Sequence, residues 1–142
     1  MTVLDVAEAA LQASRDRLGP GADRVTWLAQ DLLSWRPPRT YDVWHDRAVF
    51  HFLTDSNDRA AYVRQVAHAV KSGGHVIVAT FGPEGPAQCS GLDVVRYDAD
   101  ALHGEFGASF HLEEHLTELH RTPSGSIQQF IYCFCNVLPE HG

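Results

Sequence analysis

The sequence predicts an α/β protein whose sheet is mostly parallel and ends in an antiparallel hairpin. Two observations support this prediction: short apolar runs alternate with helical patterns, and the last two apolar runs are joined by the turn "TPSG". Alternation of strands and helices is typical of a parallel sheet with helices on both faces. A closing hairpin adds an antiparallel strand at one edge. The predicted order is β-α-β-β-α-β-α-β-β.

The first elements are a short strand and a helix. "TVLDV" (2–6) is rich in β-branched residues and predicts a buried strand, and residues 7–18 are good helix formers. The predicted inner face of this helix carries Ala10, Leu11, Ser14 and Leu18. Gly19-Pro20-Gly21 ends the helix. A second apolar run follows at 24–32, and a Pro-rich connection covers 34–41.

The middle of the chain repeats the strand–helix pattern. Residues 42–53 start as a strand, and residues 54–71 read as a helix with several good capping residues at its start. The predicted apolar stripe of that helix is Ala60, Val63, Val66, Ala67 and Val70. Gly73-Gly74 is predicted to close the helix. "HVIVATF" (75–81) is the clearest strand in the chain.

The last third predicts a loop, a helix and a hairpin. The loop runs from Gly82 to Gly91 and contains two prolines. A short helix covers 98–107, with Asp98 as its N-cap. Alternation of polar and apolar residues predicts strands at 109–121 and 126–138.

Composition limits the classes of function. The chain has 142 residues, 44% of them hydrophobic, so one domain with a packed core is expected. A net charge of −7 argues against a surface for nucleic acid or anionic membranes. No apolar run is long enough to span a membrane, and no signal peptide is recognisable. Three cysteines do not suit a disulfide framework, so a cytoplasmic protein is expected.

Polar residues follow the predicted strands where an α/β sheet binds its ligands, outside the carboxyl ends of the strands. They are Asp5, Gln30-Asp31, His45-Asp46-Arg47, and Thr80 with the loop after Phe81. An acid at the end of such a strand can accept hydrogen bonds from both ribose hydroxyls of a nucleotide. The same acid can instead cap the helix that follows. Both interpretations of Asp5 remain open.

Five segments together resemble a known family. They are "VLDVAEAAL", "AQDLLSW", "YDVWHDRAVFHFL", "AVKSGGHVIVATF" and "HRTPSGSIQQFIYCF". In this order and spacing they resemble the class I S-adenosylmethionine-dependent methyltransferases of the small-molecule type, similar to the thiopurine and tellurite-resistance enzymes. The resemblance covers almost the whole chain. It implies a Rossmann-like sheet, S-adenosyl-L-methionine as cofactor and a small-molecule methyl acceptor. One departure is Ser72, which stands where the family usually has proline.

The resemblance also implies roles for individual residues on the cofactor side. Asp5, with the neighbouring Val6, would hold the ribose. Asp31 would accept the adenine amino group, and Leu32 would present its backbone amide to the ring. The pocket for the methionine part would be lined by Asp46, Arg47 and Ala48.

On the substrate side, Phe50, His51 and Phe52 would face the methyl acceptor. His51 is the candidate catalytic base, if the nucleophile needs to lose a proton. An equally good interpretation is a histidine that hydrogen-bonds the backbone. Arg47 could pair with a substrate carboxylate or form an internal salt bridge with Asp46 or Asp55.

The family's glycine-rich cofactor turn has no counterpart here. None of the 11 glycines follows a strand and opens a helix with the required spacing. We therefore expect a single methyltransferase-like domain, residues 1–142, that is truncated at its N-terminus and lacks the first strand. In the family that strand lies between the second and the fourth strand of the sheet. Three explanations for its absence are open. The sequence is a gene fragment (the favoured one), a partner chain supplies the strand, or the second strand closes onto the fourth.

Features of the sequence also suggest three other functions. "HLEEH" (111–115) matches a zinc-protease pattern, but a strand would hold its histidines about 13 Å apart, so no metal site is expected. A nicotinamide-dependent dehydrogenase would share the acid-ended strand, but its fingerprint loop is also missing. A non-catalytic remnant could bind a partner, or associate with itself, through an open sheet edge.

Overall fold

The computed structural model describes residues 1–5, 8–89 and 91–139. Val6, a predicted cofactor contact, lies outside the described residues. The chain divides into two compact units, Met1–Arg36 and Pro37–Gly142. The single domain over 1–142 stays a prediction.

The first unit is a small β-α-β unit. It contains β1 (Thr2–Asp5), α1 (Glu8–Leu18), a 3₁₀ turn (Gly19–Arg24) and β2 (Thr26–Ala29). The two strands are parallel, with Asp5 opposite Ala29. Leu11 is buried as predicted, but Ala10 is exposed and Leu18 is 46% exposed, so the predicted inner face of α1 is wrong at both of these residues. Helix α1 ends at Leu18, and the next residue, Gly19, has a φ of 65°, which glycine adopts without strain.

The second unit contains the remaining elements. They are β3 (Tyr41–Arg47), a 3₁₀ turn (Phe50–Phe52), α2 (Ser56–Ala69), β4 (Val70–Phe81), β5 (Gln88–Cys89), β6 (Leu92–Asp93), α3 (Ala99–Phe106), β7 (Phe110–Arg121) and β8 (Ile127–Val137). The predicted order is confirmed, with the small β5–β6 hairpin added inside the predicted loop. Asp98 is the N-cap of α3 as predicted, since its carboxylate accepts a 2.7 Å hydrogen bond from the Ala101 amide.

The sheet of the second unit has the order β3-β4-β8-β7. β3 and β4 are parallel, and β8 runs antiparallel to both of its neighbours. The closing hairpin therefore lies at an edge as predicted, but its antiparallel strand is interior and β7 is the edge strand. Burial explains the order: alternate residues of β8 are apolar and buried, whereas most of β7 is exposed.

Helices α2 and α3 contact each other and pack on one face of this sheet. The residues of α2 that become fully buried are Tyr62, Val66 and Ala69. Of the predicted stripe, Val66 is buried in the helix and Val70 is buried as the first residue of β4, whereas Ala60 and Ala67 are exposed. Tyr62 packs with Phe50 and Phe106, which form the aromatic centre of the core.

The paired glycines lie inside β4 and do not close α2. The helix ends at Ala69 and β4 begins at the next residue. The pairing with β3 shifts register here, from Tyr41 opposite Val70 to Val43 opposite His75. Gly73 has a φ of 82°, so the glycine requirement comes from this irregularity in the strand.

Candidate functional site at the carboxyl ends of β3 and β4

The polar residues predicted for the second unit lie where β3 and β4 end. These strands are parallel, with Arg47 opposite Ala79, so both carboxyl ends are at the same edge of the sheet. After β3 the chain passes Ala48 and enters the 3₁₀ turn at Phe50–Phe52. The structure therefore brings the segment 46–52 next to the end of β4.

Asp46 is buried and organises this turn. Its Oδ1 accepts a hydrogen bond of 3.0 Å from the Val49 amide, and its Oδ2 accepts one of 3.2 Å from the Phe50 amide. The Tyr62 hydroxyl also donates to Oδ2, and Trp44 Nε1 donates to that hydroxyl. Burial raises the pKa of Asp46 to about 6, against the effect of these donors. Both carboxylate oxygens are thus engaged within the protein, which favours a positioning role.

Ala48 adopts a left-handed backbone conformation with a φ of 65°, which is uncommon for a residue other than glycine. Its amide donates a 2.9 Å hydrogen bond to the Ala79 carbonyl of β4. Asp46, two residues earlier, accepts hydrogen bonds from the amides of Val49 and Phe50, the two residues that follow Ala48. These bonds compensate for the strained conformation, as is common at functional sites.

Arg47 points to the opposite face of the sheet from Asp46, because neighbouring strand residues alternate. Its Nε donates to the Tyr132 hydroxyl at 2.9 Å, and its guanidinium carbon lies 4.1 Å from the Phe130 ring centroid. Its acidic partner is Glu118, at 3.5 Å. The predicted internal salt bridge with Asp46 or Asp55 is therefore wrong.

His51 is fully buried. Its Nδ1 accepts a 3.2 Å hydrogen bond from the Phe81 amide, so the prediction of a bond to the backbone is confirmed. Its ring makes edge contacts with Phe52 and Phe81, each at a centroid distance of 4.7 Å. Burial lowers the pKa of His51 to about 4. The imidazole is therefore neutral at pH 7 and a weak base, while its catalytic role stays a prediction.

The two phenylalanines of the turn differ in environment. Phe50 is fully buried, and its ring lies 4.9 Å from Tyr62 and 5.4 Å from Phe106. Phe52 is only partly buried. These contacts favour a packing role for Phe50, and substrate contact stays a prediction for both residues.

The loop residues 82–89 and 91–97 lie at the end of β4. The Val95 amide donates to the His51 carbonyl at 2.8 Å, and the Tyr97 amide donates to the Phe81 carbonyl at 3.0 Å. Cys89 and Val94 pack against the buried cluster, whose members are Ala79, Phe81 and Phe130. The sequence predicted the loop after Phe81 at this edge of the sheet, but its packing partners could not be predicted, because they are distant in the sequence.

Sequence reasoning also missed Tyr62 and Tyr132, the hydroxyl partners of Asp46 and Arg47. The alternating aromatics Phe130, Tyr132 and Phe134 in the last strand were a signal for Tyr132, since alternate residues share a face. For Tyr62 no comparable signal exists in the sequence.

The first unit places Asp5 and Asp31, the two acids predicted to contact the cofactor, at one edge as well. Asp5 ends β1, and Asp31 follows β2, its parallel neighbour. The Gln30 amide donates to the Asp5 carbonyl at 3.0 Å. Asp31 Oδ1 accepts a 3.0 Å hydrogen bond from the Leu33 amide. The roles predicted for Asp5, Asp31 and the half-buried Leu32 stay predictions.

The predicted strand at "HLEEH" is confirmed, because residues 111–115 lie in β7. In residues 1–5, 8–89 and 91–139, no group of three or more histidine, cysteine, aspartate or glutamate side chains could hold a metal ion. None of the helices described is long and apolar enough to cross a membrane.

Similar proteins were found among solved structures. No family model and no curated protein sequence matches the chain. The N-methyltransferase NodS from Bradyrhizobium japonicum WM9 has a TM-score of 0.74 at 16% identity, covering 97% of this chain and 73% of that one. A SAM-dependent methyltransferase from Methanosarcina mazei has a TM-score of 0.73 at 12% identity, covering 98% and 82%.

A third similar structure contains ligands. It is the 1,6-didemethyltoxoflavin-N1-methyltransferase of Burkholderia thailandensis with bound 1,6-didemethyltoxoflavin and S-adenosylhomocysteine. Its TM-score is 0.68 at 14% identity, and the match covers 97% of this chain and 61% of that one. Likeness at these identities establishes the fold: this chain has the Rossmann-like fold of class I S-adenosylmethionine-dependent methyltransferases.

Proposed function

We propose that this chain takes part in the transfer of a methyl group from S-adenosylmethionine to a small molecule. The observation that carries the proposal is the placement of Asp5 and Asp31 at the carboxyl ends of two neighbouring parallel strands. Adjacent strands are about 5 Å apart, a spacing that suits the ribose and the adenine of one nucleoside. The fold supports the proposal, and a similar structure, NodS, was solved in complex with S-adenosyl-L-homocysteine.

In this function the residues of the first unit hold the nucleoside. Asp5 accepts hydrogen bonds from the ribose hydroxyls, and Asp31 accepts one from the adenine amino group. Leu32 presents its backbone amide to the adenine ring. The Leu33 amide, bonded to Asp31 Oδ1, fixes the orientation of that carboxylate.

The bound cofactor supplies an electrophilic methyl group on a sulfonium sulfur. In the second unit the segment 46–52 lines the acceptor side. Asp46 acts there as a positioning residue, because it fixes the backbone of the turn through the Val49 and Phe50 amides. Orientation in a pocket that excludes water supplies much of the rate in such a displacement.

We expect this chain alone to bind the cofactor weakly. A glycine-rich turn lets the backbone approach a nucleotide and aims a helix N-terminus at it, and no glycine here supplies one. Calorimetry with S-adenosyl-L-methionine should give no micromolar binding. Micromolar affinity would contradict this expectation.

The proposed function is tested by an NMR titration of the full chain with S-adenosyl-L-homocysteine. Asp5→Asn should weaken binding about tenfold, because an amide both loses the charge and offers a donor where the ribose needs an acceptor. Asp31→Asn should act in the same direction. Asp23→Asn is the matched control, since Asp23 is exposed in the same unit and lies in the 3₁₀ turn. Equal affinities for all three variants would overturn the proposal.

A second candidate function is a non-catalytic interaction module. In the described part of the chain, β3 pairs with β4 on one side only, and Val43 on this edge strand is 51% exposed. An unpaired edge can add a strand from another chain, including a second copy. Analytical ultracentrifugation of the wild type and of Val43→Lys tests this, since a lysine on an edge strand opposes pairing. Concentration-dependent association that the lysine abolishes supports the module, and a monomer at all concentrations excludes self-association.

A further inference from the structure

Strand β7 has a long edge that no other strand in the described part of the chain covers. It lies at the end of the four-stranded sheet, and its neighbour there is β8. The strand has 12 residues, most of them exposed. An edge of this length presents a row of backbone donors and acceptors that can pair with another chain.

The sequence of β7 offers little protection against such pairing. Proteins usually protect an edge with lysine, proline, a bulge or a short strand. The strand reads FHLEEHLTELHR and contains neither lysine nor proline. A bulge is present where the pairing with β8 shifts between Leu112 and Glu114, but from Glu114 to Arg121 the pairing is regular. Residues 114–121 therefore form an open edge.

The open edge also carries apolar side chains that the fold leaves exposed. Leu116 is 41% exposed and Leu119 is 69% exposed. The two leucines point to opposite faces of the sheet, because side chains alternate along a strand. A strand added beside β7 would cover part of both, so the edge offers apolar area as well as hydrogen bonds.

We propose that β7 pairs antiparallel with β7 of a second copy of this chain, which joins the two sheets into one. The argument for this occupant is charge complementarity. The strand has acidic residues near its beginning, Glu113 and Glu114, and His120 and Arg121 at its end. Antiparallel pairing places the beginning of one strand beside the end of the other, so β7 is complementary to itself. The inference goes beyond the proposed function and does not rest on it.

Charge also selects the register of this pairing. A two-fold axis perpendicular to the sheet passes through one residue, which then lies opposite its own copy. An axis at Leu116 would place Glu114 opposite Glu118, and an axis at Glu118 would place this residue opposite itself. Like charges directly opposite each other are destabilising. An axis at Thr117 avoids both contacts and keeps the pairing within residues 113–121.

With the axis at Thr117, complementary side chains come together on both sides of it. Glu114 lies opposite His120 of the second copy, where an imidazole N–H can donate to the carboxylate. Glu113, in the bulge, comes near Arg121 of the second copy. Leu116 lies diagonal to its own copy, within reach of a cross-strand contact. The symmetry forms the contacts of Glu114 and Glu113 twice.

One added pair of strands is a small interface, so the dimer should be weak and reversible. Interfaces that bury less than about 1,200 Å² are typical of transient complexes, which corresponds to a dissociation constant of about 10–100 µM. Sedimentation velocity of the full chain, from about 1 to 500 µM, spans this range. A monomer at all concentrations would overturn the inference.

A charge exchange tests the register. His120→Glu places a carboxylate opposite Glu114 at two points, so the dissociation constant should rise at least about tenfold. Adding Glu114→Lys to His120→Glu restores an oppositely charged pair and should return the constant to within about threefold of the wild type. A substitution that merely loosened β7 would not be rescued in this way.

His111→Glu is the matched control. It makes the same change in the same strand, at an exposed position that lies before the bulge and outside the paired residues. This variant should dimerise as the wild type does. A loss of association in His111→Glu equal to that in His120→Glu would overturn the register.

The remaining outcomes separate this contact from other modes of association. Association that His120→Glu leaves unchanged, or that the second substitution fails to restore, would overturn the inference. Association that Val43→Lys abolishes would assign the contact to β3, and oligomers that grow beyond the dimer would indicate pairing of β3 with β7. Either result also overturns it. Binding of S-adenosyl-L-homocysteine is measured separately, so its failure affects only the proposed function.

Discussion

Asp46 and His51 are both buried near the end of β3, and burial moves their pKa values in opposite directions. The pKa of Asp46 is raised to about 6, so between pH 4 and 6 the native state keeps a proton that the unfolded state releases. Its contribution to stability therefore falls as pH rises through this window. The pKa of His51 is lowered to about 4, so its contribution rises with pH between 4 and 6.5. In the wild type the two effects largely cancel.

Asp46→Asn should reveal the pH dependence of stability that comes from His51, because the opposing effect of Asp46 is removed. Without the titrating carboxyl group, the variant should lose about 2 kcal/mol more stability than the wild type when the pH falls from 6.5 to 4.5. Urea unfolding at both pH values measures this difference. Asp58→Asn, an exposed position at the start of α2, is the control and should follow the wild type. Parallel curves for Asp46→Asn and the wild type would contradict the raised pKa.

Ala48 gives a second prediction at the scale of one residue. With a φ of 65°, Ala48→Val should destabilise the fold by about 2 kcal/mol, because a β-branched side chain is strongly disfavoured in this conformation. Ala48→Gly removes the strain but adds freedom to the unfolded chain, so it should change stability by less than about 1 kcal/mol. Thermal unfolding of both variants measures the contrast. Equal effects would show that side-chain packing, and not backbone conformation, decides this position.

The site illustrates what the sequence could and could not predict for single residues. The edge at which Asp46, Arg47 and His51 lie follows from the rule that ligands bind at the carboxyl ends of strands. Their hydrogen-bond partners do not follow from any local pattern. Tyr62 comes from α2 and Tyr132 from β8, and only the packed structure brings them together.

Among the elements, β4 contains two adjacent glycines, Gly73 and Gly74, that are required for different physical reasons. A Cβ on Gly74 would lie 2.9 Å from the backbone oxygens of Asp42 and of Lys71, closer than real contacts allow. Gly73 has open space around it and needs its freedom of φ instead. The sequence predicted a helix end at this pair, since a helix followed by glycines usually ends there. The register shift against β3 is a tertiary feature that this pattern does not show.

Substitutions by alanine test this account. Gly74→Ala should destabilise the fold by about 2 kcal/mol or more, because backbone atoms cannot move aside easily. Gly104→Ala is the matched control: Gly104 is exposed within α3 and a Cβ there meets nothing within 4 Å. That change should stabilise the protein by about 0.5–1 kcal/mol. Chemical denaturation of the two variants should give opposite signs, and a loss of stability in both would contradict the argument.

For the whole molecule, the structure predicts two units of unequal stability. The first unit has two strands of four residues and one helix, whereas the second has a four-stranded sheet with an aromatic core. Small sheets are marginal on their own, so amides of β1 and β2 should exchange with solvent faster than those of β4 and β8. Hydrogen exchange followed by mass spectrometry measures this. S-adenosyl-L-homocysteine at high concentration should slow exchange in the first unit, and equal protection in both units without ligand would contradict the prediction.

The fold class itself was readable from the sequence, because strand and helix patterns alternate in nearly the order that the structure shows. The order of strands within the sheet was harder to predict from the sequence. Alternation predicted both strands of the closing hairpin, but the choice of the interior strand depends on which side chains the helices cover.

The interior position of β8 has a consequence for the kinetics of folding. β7 and β8 are neighbours in sequence and can form a hairpin within microseconds. The pairing of β4 with β8 forms more slowly, because it joins residues far apart in the sequence, such as Val76 and Cys135. We therefore expect the hairpin to form early and its docking onto β4 to limit the folding rate. Substitutions in the contact between β4 and β8 would then slow folding, and substitutions in the first unit would act mainly on the rate of unfolding.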